Sequence, residues 1–139
     1  MNRSDVEKAI HGLYQPRLAN DPAQCIERFT EDATFRLAGT AKDGTSAPVV
    51  IGRHALLEAL NALVSIWRWI SIDFDSVLID GDRAVVRYHL TVEHLPTAET
   101  VVTEVVDHVQ FDDRLLVQEM VEYLDTALIN RLAAQSATH

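Results

Sequence analysis

Beyond Trp67 the chain passes through four runs rich in β-branched residues, Ile70–Ile79, Arg83–His94, Val101–Phe111 and Leu115–Leu124. They are joined only by Asp80-Gly81-Asp82, Leu95-Pro96-Thr97 and Asp112-Asp113-Arg114. Connections this short cannot carry a crossover, so the four runs must be antiparallel neighbours in one meander. The first half of the chain has helical periodicity instead. Helices followed by a meander make an α+β fold, with the helices packed on one face of a curved sheet.

The helical half reads in three pieces. Ser4 and Glu7 have capping-box spacing, and Val6, Ala9, Ile10 and Leu13 repeat at helical intervals, which predicts a helix over 4–19. Pro16 lies inside it and lacks the amide that would bond to Gly12, so a kink or early stop is expected there. Asp21-Pro22 then starts a short helix, with Asp21 as N-cap and Ile26 and Phe29 on its buried side. Residues 32–38 read as a strand and Gly39–Pro48 as a loop of the length that often forms a lid. Gly52 opens a third helix carrying Leu56, Leu60 and Leu63, and Thr126–Ala134 reads as a closing helical segment.

Length and composition narrow the function. The 139 residues make one domain, residues 1–139, large enough to bury a core and an internal pocket without disulfide or metal staples. Twelve basic residues against 21 acidic ones leave a net charge of −9, which argues against binding a nucleic-acid backbone. Cys25 is the single cysteine, and no Cys/His spacing suggests a zinc site, so no metal is expected. Neither a signal peptide nor a membrane-spanning apolar run is visible, and a cytoplasmic protein without membrane contact is expected.

Strand alternation sorts the meander's side chains into faces. Val101, Thr103, Val105, Asp107, Val109 and Phe111 share one face of their strand, which puts a carboxylate on an apolar surface where it needs a partner. On Arg83–His94 the polar set contains Arg87 and His89, and the other contains Ala84, Val86, Tyr88, Leu90, Val92 and His94. Patterning alone sends Arg87 and His89 to solvent; a second reading has the mixed face lining a cavity and the apolar face covered by another subunit.

The order and spacing of several short motifs resemble the nuclear transport factor two-like superfamily, which includes SnoaL-like cyclases, ketosteroid isomerases and limonene epoxide hydrolases. The motifs are Glu31-Asp32-Ala33-Thr34-Phe35, Ile51-Gly52-Arg53, Ile79-Asp80-Gly81-Asp82-Arg83-Ala84, Phe111-Asp112-Asp113 and Glu122-Tyr123-Leu124-Asp125. The resemblance spans nearly the whole chain. It implies a cone-shaped, cystatin-like fold, a strongly bent sheet wrapped around helices and an apolar cavity, and a homodimer formed through the outer sheet face. Against ketosteroid isomerases, Asp107 matches the acid that helps bind the substrate oxyanion, and Met120, Glu122 and Leu124 match pocket-lining positions. The general base expected after Asp32-Ala33-Thr34 is replaced by Phe35, Arg36 and Leu37, and Tyr14 is displaced by one residue from the oxyanion tyrosine. Against limonene epoxide hydrolases, Arg87 and His89 match an Arg-x-Asp pair and Glu122 the water-activating aspartate, while Phe35 and Leu37 replace the residues that help hold the water.

Both comparisons imply that Arg87, His89, Asp107 and Glu122 meet on the concave face, with Tyr14, Phe35, Leu37, Val105, Met120 and Leu124 around a ligand. Two carboxyls in one desolvated space repel, so one keeps its proton; His89 would shuttle protons and Arg87 would orient the substrate. The expected activity is cofactor-free isomerisation, cyclisation, dehydration or hydrolysis of a small apolar carbonyl or hydroxyl compound. The alternatives are a non-catalytic binder of an apolar ligand, an interaction module, or a structural ion-pair network among the same four residues.

Overall fold

A computed structural model describes residues 2–39 and 48–137, so the heart of the expected Gly39–Pro48 loop lies outside the described residues. In chain order the elements are α1 (Arg3–Leu18), α2 (Pro22–Ile26), β1 (Phe29–Leu37), β2 (Val50–Ile51), α3 (Arg53–Ile66), β3 (Trp67–Asp80), β4 (Arg83–His94), β5 (Glu99–Phe111), β6 (Val117–Tyr123) and α4 (Thr126–Ala137). The sheet order is β2-β1-β6-β5-β4-β3. The meander β3-β4-β5-β6 is antiparallel throughout, and β1 joins it parallel to β6. Breaks in register at Trp69/Ser71 and Phe74/Ser76 of β3 bend and twist the sheet, which stays open at both edges.

Helix α1 begins one turn-position earlier than the Ser4 capping box predicts, because Asn2 is the N-cap and its side chain accepts from the Ser4 amide at 2.7 Å. Glu7 pairs with Arg3 instead, at 3.3 Å. The helix runs through Pro16 and stops two residues later. Asn20 adopts φ 55°, and the amides of Asn20 and Asp21 bond back to the carbonyls of Arg17 and Pro16. That pattern is a Schellman stop with asparagine in the left-handed position. Asp21 then caps α2 through the Gln24 amide at 3.2 Å, as its sequence predicts.

The last hairpin differs from expectation for a local reason. Asp112 Oδ1 accepts from the amides of Arg114 and Leu116, each at 2.9 Å, and Leu115 sits at φ 65°. These bonds extend the turn and delay β6 to Val117. The two-residue strand β2, absent from the sequence reading, pairs with β1 at Thr34↔Ile51 and Phe35↔Val50.

The core lies between the helices and the concave face of the meander. Val6, Ile10, Leu13 and Tyr14 of α1 are buried, as are Val86, Tyr88, Val105, Val109 and Phe111 of β4 and β5. Burial alternates along β4, with Ala84, Val86, Tyr88, Leu90, Val92 and His94 inside and Arg83, Arg87 and His89 outside. The patterning of the strand alone therefore describes its faces correctly.

Candidate functional site

Four elements bring one polar group each to the middle of the concave face. Tyr14 comes from α1, Tyr88 from β4, Asp107 from β5 and Glu122 from β6. The β5–β6 register sets Asp107 opposite Glu122 and Val109 opposite Met120, so both pairs project to the same side. On β4, Tyr88 faces Val105, one pair along from Asp107.

Asp107 is 1% exposed. The hydroxyls of Tyr14 and Tyr88 both donate to its Oδ2, at 2.7 and 2.8 Å. Two donors on one oxygen favour its charged form. Its other oxygen, Oδ1, is buried and receives no bond from any donor fixed by the fold. Glu122 stands opposite Asp107 in the β5–β6 register. Burial raises Glu122 well above the usual carboxylate range, and the neighbouring Asp107 charge together with its hydrogen bond to Asp107 raises it further. Asp107 is also raised by burial, but bonds from Glu122, Tyr14 and Tyr88 and the charge of Arg17 pull it back. The two carboxyls titrate as a coupled pair, and Glu122 is the member raised further. Burial followed by the Asp107 charge keeps both tyrosines firmly protonated as donors.

Arg17 stands one helical turn beyond Tyr14 on α1. Its guanidinium carbon lies 4.4 Å from the centre of the Trp69 ring, and its Nη1 is buried without a hydrogen-bond partner among the described residues. Burial lowers its pKa, while Glu122 leads the groups that favour its charge. Tyr14 packs edge-on against Tyr88 and Phe74, with ring centres 5.1 and 5.5 Å away.

Two cavities adjoin this cluster, of about 110 and 60 Å³. The larger lies against Leu37, Leu90, Val92, Val105 and Leu124. The smaller reaches Tyr14, Asp107, Met120, Leu60 and Cys25. Arg17, Phe35, Leu63, Trp69 and Glu122 line both and form the junction between them. Each of the six side chains expected around a ligand borders one cavity or the other.

Arg87 and His89 do not join this group. They lie on the outer face of β4, half-exposed, where Arg87 Nη1 meets Glu104 Oε1 at 3.4 Å and His89 Nδ1 meets Asp75 Oδ2. The expectation that all four residues share the concave face is corrected by the position of Tyr88: it lies between them in sequence and points inward, so both neighbours must point outward. Tyr88 itself was legible from the inward set of β4, but its hydroxyl was not assigned a partner. Arg17 lies within the helix expected over 4–19, and its i,i+3 spacing from Tyr14 places it on the same helix face, but it was not singled out.

The fold is shared with solved proteins at low identity. SalBIII, an epoxide hydrolase/cyclase-like enzyme of pyran ring formation in the polyether salinomycin, superposes with a TM-score of 0.73 at 18% identity, covering 91% of this chain and 95% of its own. A ketosteroid isomerase-like protein from Erwinia carotovora atroseptica matches with a TM-score of 0.67 at 14% identity, covering 90% and 98%. An NTF2-like protein from Mesorhizobium loti gives 0.66 at 19% identity, covering 90% and 95%. No curated protein sequence matches the chain. The family model for the SnoaL-like domain matches residues 10–119, most of the helical layer and nearly the whole meander, and on that match the chain belongs to the SnoaL-like domain family of the nuclear transport factor two-like superfamily.

Proposed function

We propose that this protein is a cofactor-independent acid–base enzyme for a small, largely apolar carbonyl or hydroxyl compound. The observation that carries the reading is the position of Glu122 at the junction of two apolar cavities, opposite Asp107, whose buried Oδ1 has no hydrogen-bond partner among the described residues. An acid that keeps its proton near neutrality and borders a cavity can protonate a carbonyl, hydroxyl or ether oxygen. Glu122 gives its proton to that oxygen and becomes a carboxylate. The negative charge is then shared by two facing carboxylates, with Tyr14, Tyr88 and Arg17 around them. The pair regains one proton from a substrate C–H or from an attacking water, which closes the cycle without net change to the enzyme. Isomerisation, cyclisation, dehydration and hydrolysis all fit that exchange. The family membership and the cyclase-like and isomerase-like neighbours support the same range of chemistry.

Phe35 and Leu37 support a second reading, a non-catalytic binder of an apolar ligand. They put two apolar side chains against the cavity where the resemblance would put groups that take a proton or hold water. A panel of enolisable ketones, β-hydroxy carbonyls and epoxides, incubated with the protein and followed by NMR, separates the two. The enzyme reading expects conversion that Glu122→Gln removes. Saturable binding without conversion across the panel would overturn it in favour of the binder.

A further inference from the structure

The proposed acid leaves one hydrogen-bond donor at the junction without an acceptor. Of the five side chains that line both cavities, Phe35, Leu63 and Trp69 are apolar and Glu122 is turned to Asp107. Arg17 is the remaining one. Its guanidinium rests on the face of Trp69, its Nη1 is buried with no acceptor, and among the described residues it forms no ion pair. The neighbouring carboxyls, Asp107 and Glu122, favour the Arg17 charge without accepting a hydrogen bond from its Nη1, and Oδ2 of Asp107 is taken by two tyrosine hydroxyls.

A guanidinium withdrawn from water is costly when its N–H groups stay unpaired, and the face of one indole offsets only part of that cost. The fork geometry of arginine suits one kind of partner best, an anionic oxygen pair that accepts two parallel bonds. Walls on both sides of the junction are apolar: Leu90, Val92 and Val105 in the larger cavity, Leu13, Leu60 and Met120 in the smaller. We infer that the ligand of this site is an apolar monocarboxylate whose carboxylate is held by Arg17 at the junction of the two cavities, with its hydrocarbon part lying along their apolar walls. The inference rests on the reading above for where the ligand lies, and it adds the chemical class. It assigns Arg17 to recognition, beside the proton donor and not in its place.

The test is binding of hexanoate against hexanamide, which share a hydrocarbon chain and differ in charge. Trp67 and Trp69 are the two tryptophans of the chain and both line the larger cavity, so their fluorescence reports occupancy directly, with calorimetry as a second measure. At pH 7 hexanoate should bind at least about tenfold more tightly than hexanamide. Arg17→Met should bring the two within about twofold, and Arg17→Lys, which keeps the charge without the fork, should retain part of the preference. Equal binding of the two probes by the unaltered protein, binding of neither, or a preference that survives in Arg17→Met would each overturn the assignment. Should Arg17→Met fail to fold, the wild-type comparison and Arg17→Lys decide the matter. Glu122→Gln should keep the carboxylate preference whether or not it loses turnover, so failure of the acid–base reading and failure of this one give different results.

Discussion

Asp107 and Glu122 stand opposite each other across the β5–β6 ladder, and the buried Oδ1 of Asp107 has no hydrogen-bond partner among the described residues. Each carboxyl changes what the other does. Asp107 is anchored by Tyr14 and Tyr88, and its charge raises Glu122 and so favours retention of the proton there. The sheet supplies the opposition, and Tyr14 of α1 anchors its Asp107 side.

Asp107→Asn tests that dependence. It keeps the shape of the side chain but removes the charge, so two of the three influences raising Glu122 weaken and burial alone remains. The titration midpoint of Glu122, followed through its carboxyl carbon by NMR, should move down toward the ordinary 4.5. Turnover of any compound converted by the wild type should be lost. An unchanged midpoint would mean that the two groups do not share a proton.

The two tyrosines should each matter to stability through the same oxygen. Tyr14→Phe or Tyr88→Phe removes one donor from a buried carboxylate, at a cost of about 1.5–3 kcal/mol in denaturant unfolding. Because both donate to Oδ2, the double variant should depart from additivity by about 0.5 kcal/mol or more. Additive losses would indicate that each hydroxyl has an independent role.

Stability should fall as pH rises through the range in which the pair ionises. Unfolded, the carboxyls release protons near 3.8 and 4.5; folded, both hold them to higher pH. Over that interval the native state binds more protons than the unfolded chain, so their contribution is fully present below the unfolded values and is lost as pH rises through the folded ones. Glu122→Gln removes its share of this loss. Melting curves should therefore show the variant gaining stability relative to wild type as pH rises above 4.5. A constant difference across pH would contradict the raised acid.

Much of this site follows from simple alternation. From Val101 to Phe111 the Asp107 face of β5 is apolar apart from Asp107 and Thr103, which marks the carboxylate as one that needs partners, and the structure supplies them in Tyr14 and Tyr88. On β4, alternation put Arg87 and His89 outside, and motif matching to other enzymes pulled them inward; the local pattern proved the better guide, because a strand cannot turn two same-parity side chains inward without turning Tyr88 out. What the sequence could not show was distance. The junction of the cavities depends on α1 crossing the concave face and on β1 pairing parallel to β6, contacts between segments far apart in the chain. Arg17 stands out only once its guanidinium is seen on Trp69 at the junction of the cavities.

Arg87 and His89 serve as controls for that correction. Both are about half-exposed and paired with Glu104 and Asp75 on the outer face. Exposed pairs of this kind contribute little, so Arg87→Ala and His89→Ala should each change stability by no more than about 1 kcal/mol. Neither should alter the Glu122 titration or the conversion of a substrate. A large loss of activity with an unchanged fold would return them to the mechanism.

The most direct test of the account is the protonation state of Glu122 in the unaltered protein at pH 7, read from the carboxyl-carbon chemical shift of selectively labelled glutamate, with Glu122→Gln to assign the signal. The account predicts a protonated carboxyl at pH 7 that ionises only at higher pH. A Glu122 signal already ionised at pH 7, with a midpoint near 4.5, would contradict it and leave the cavity without its acid.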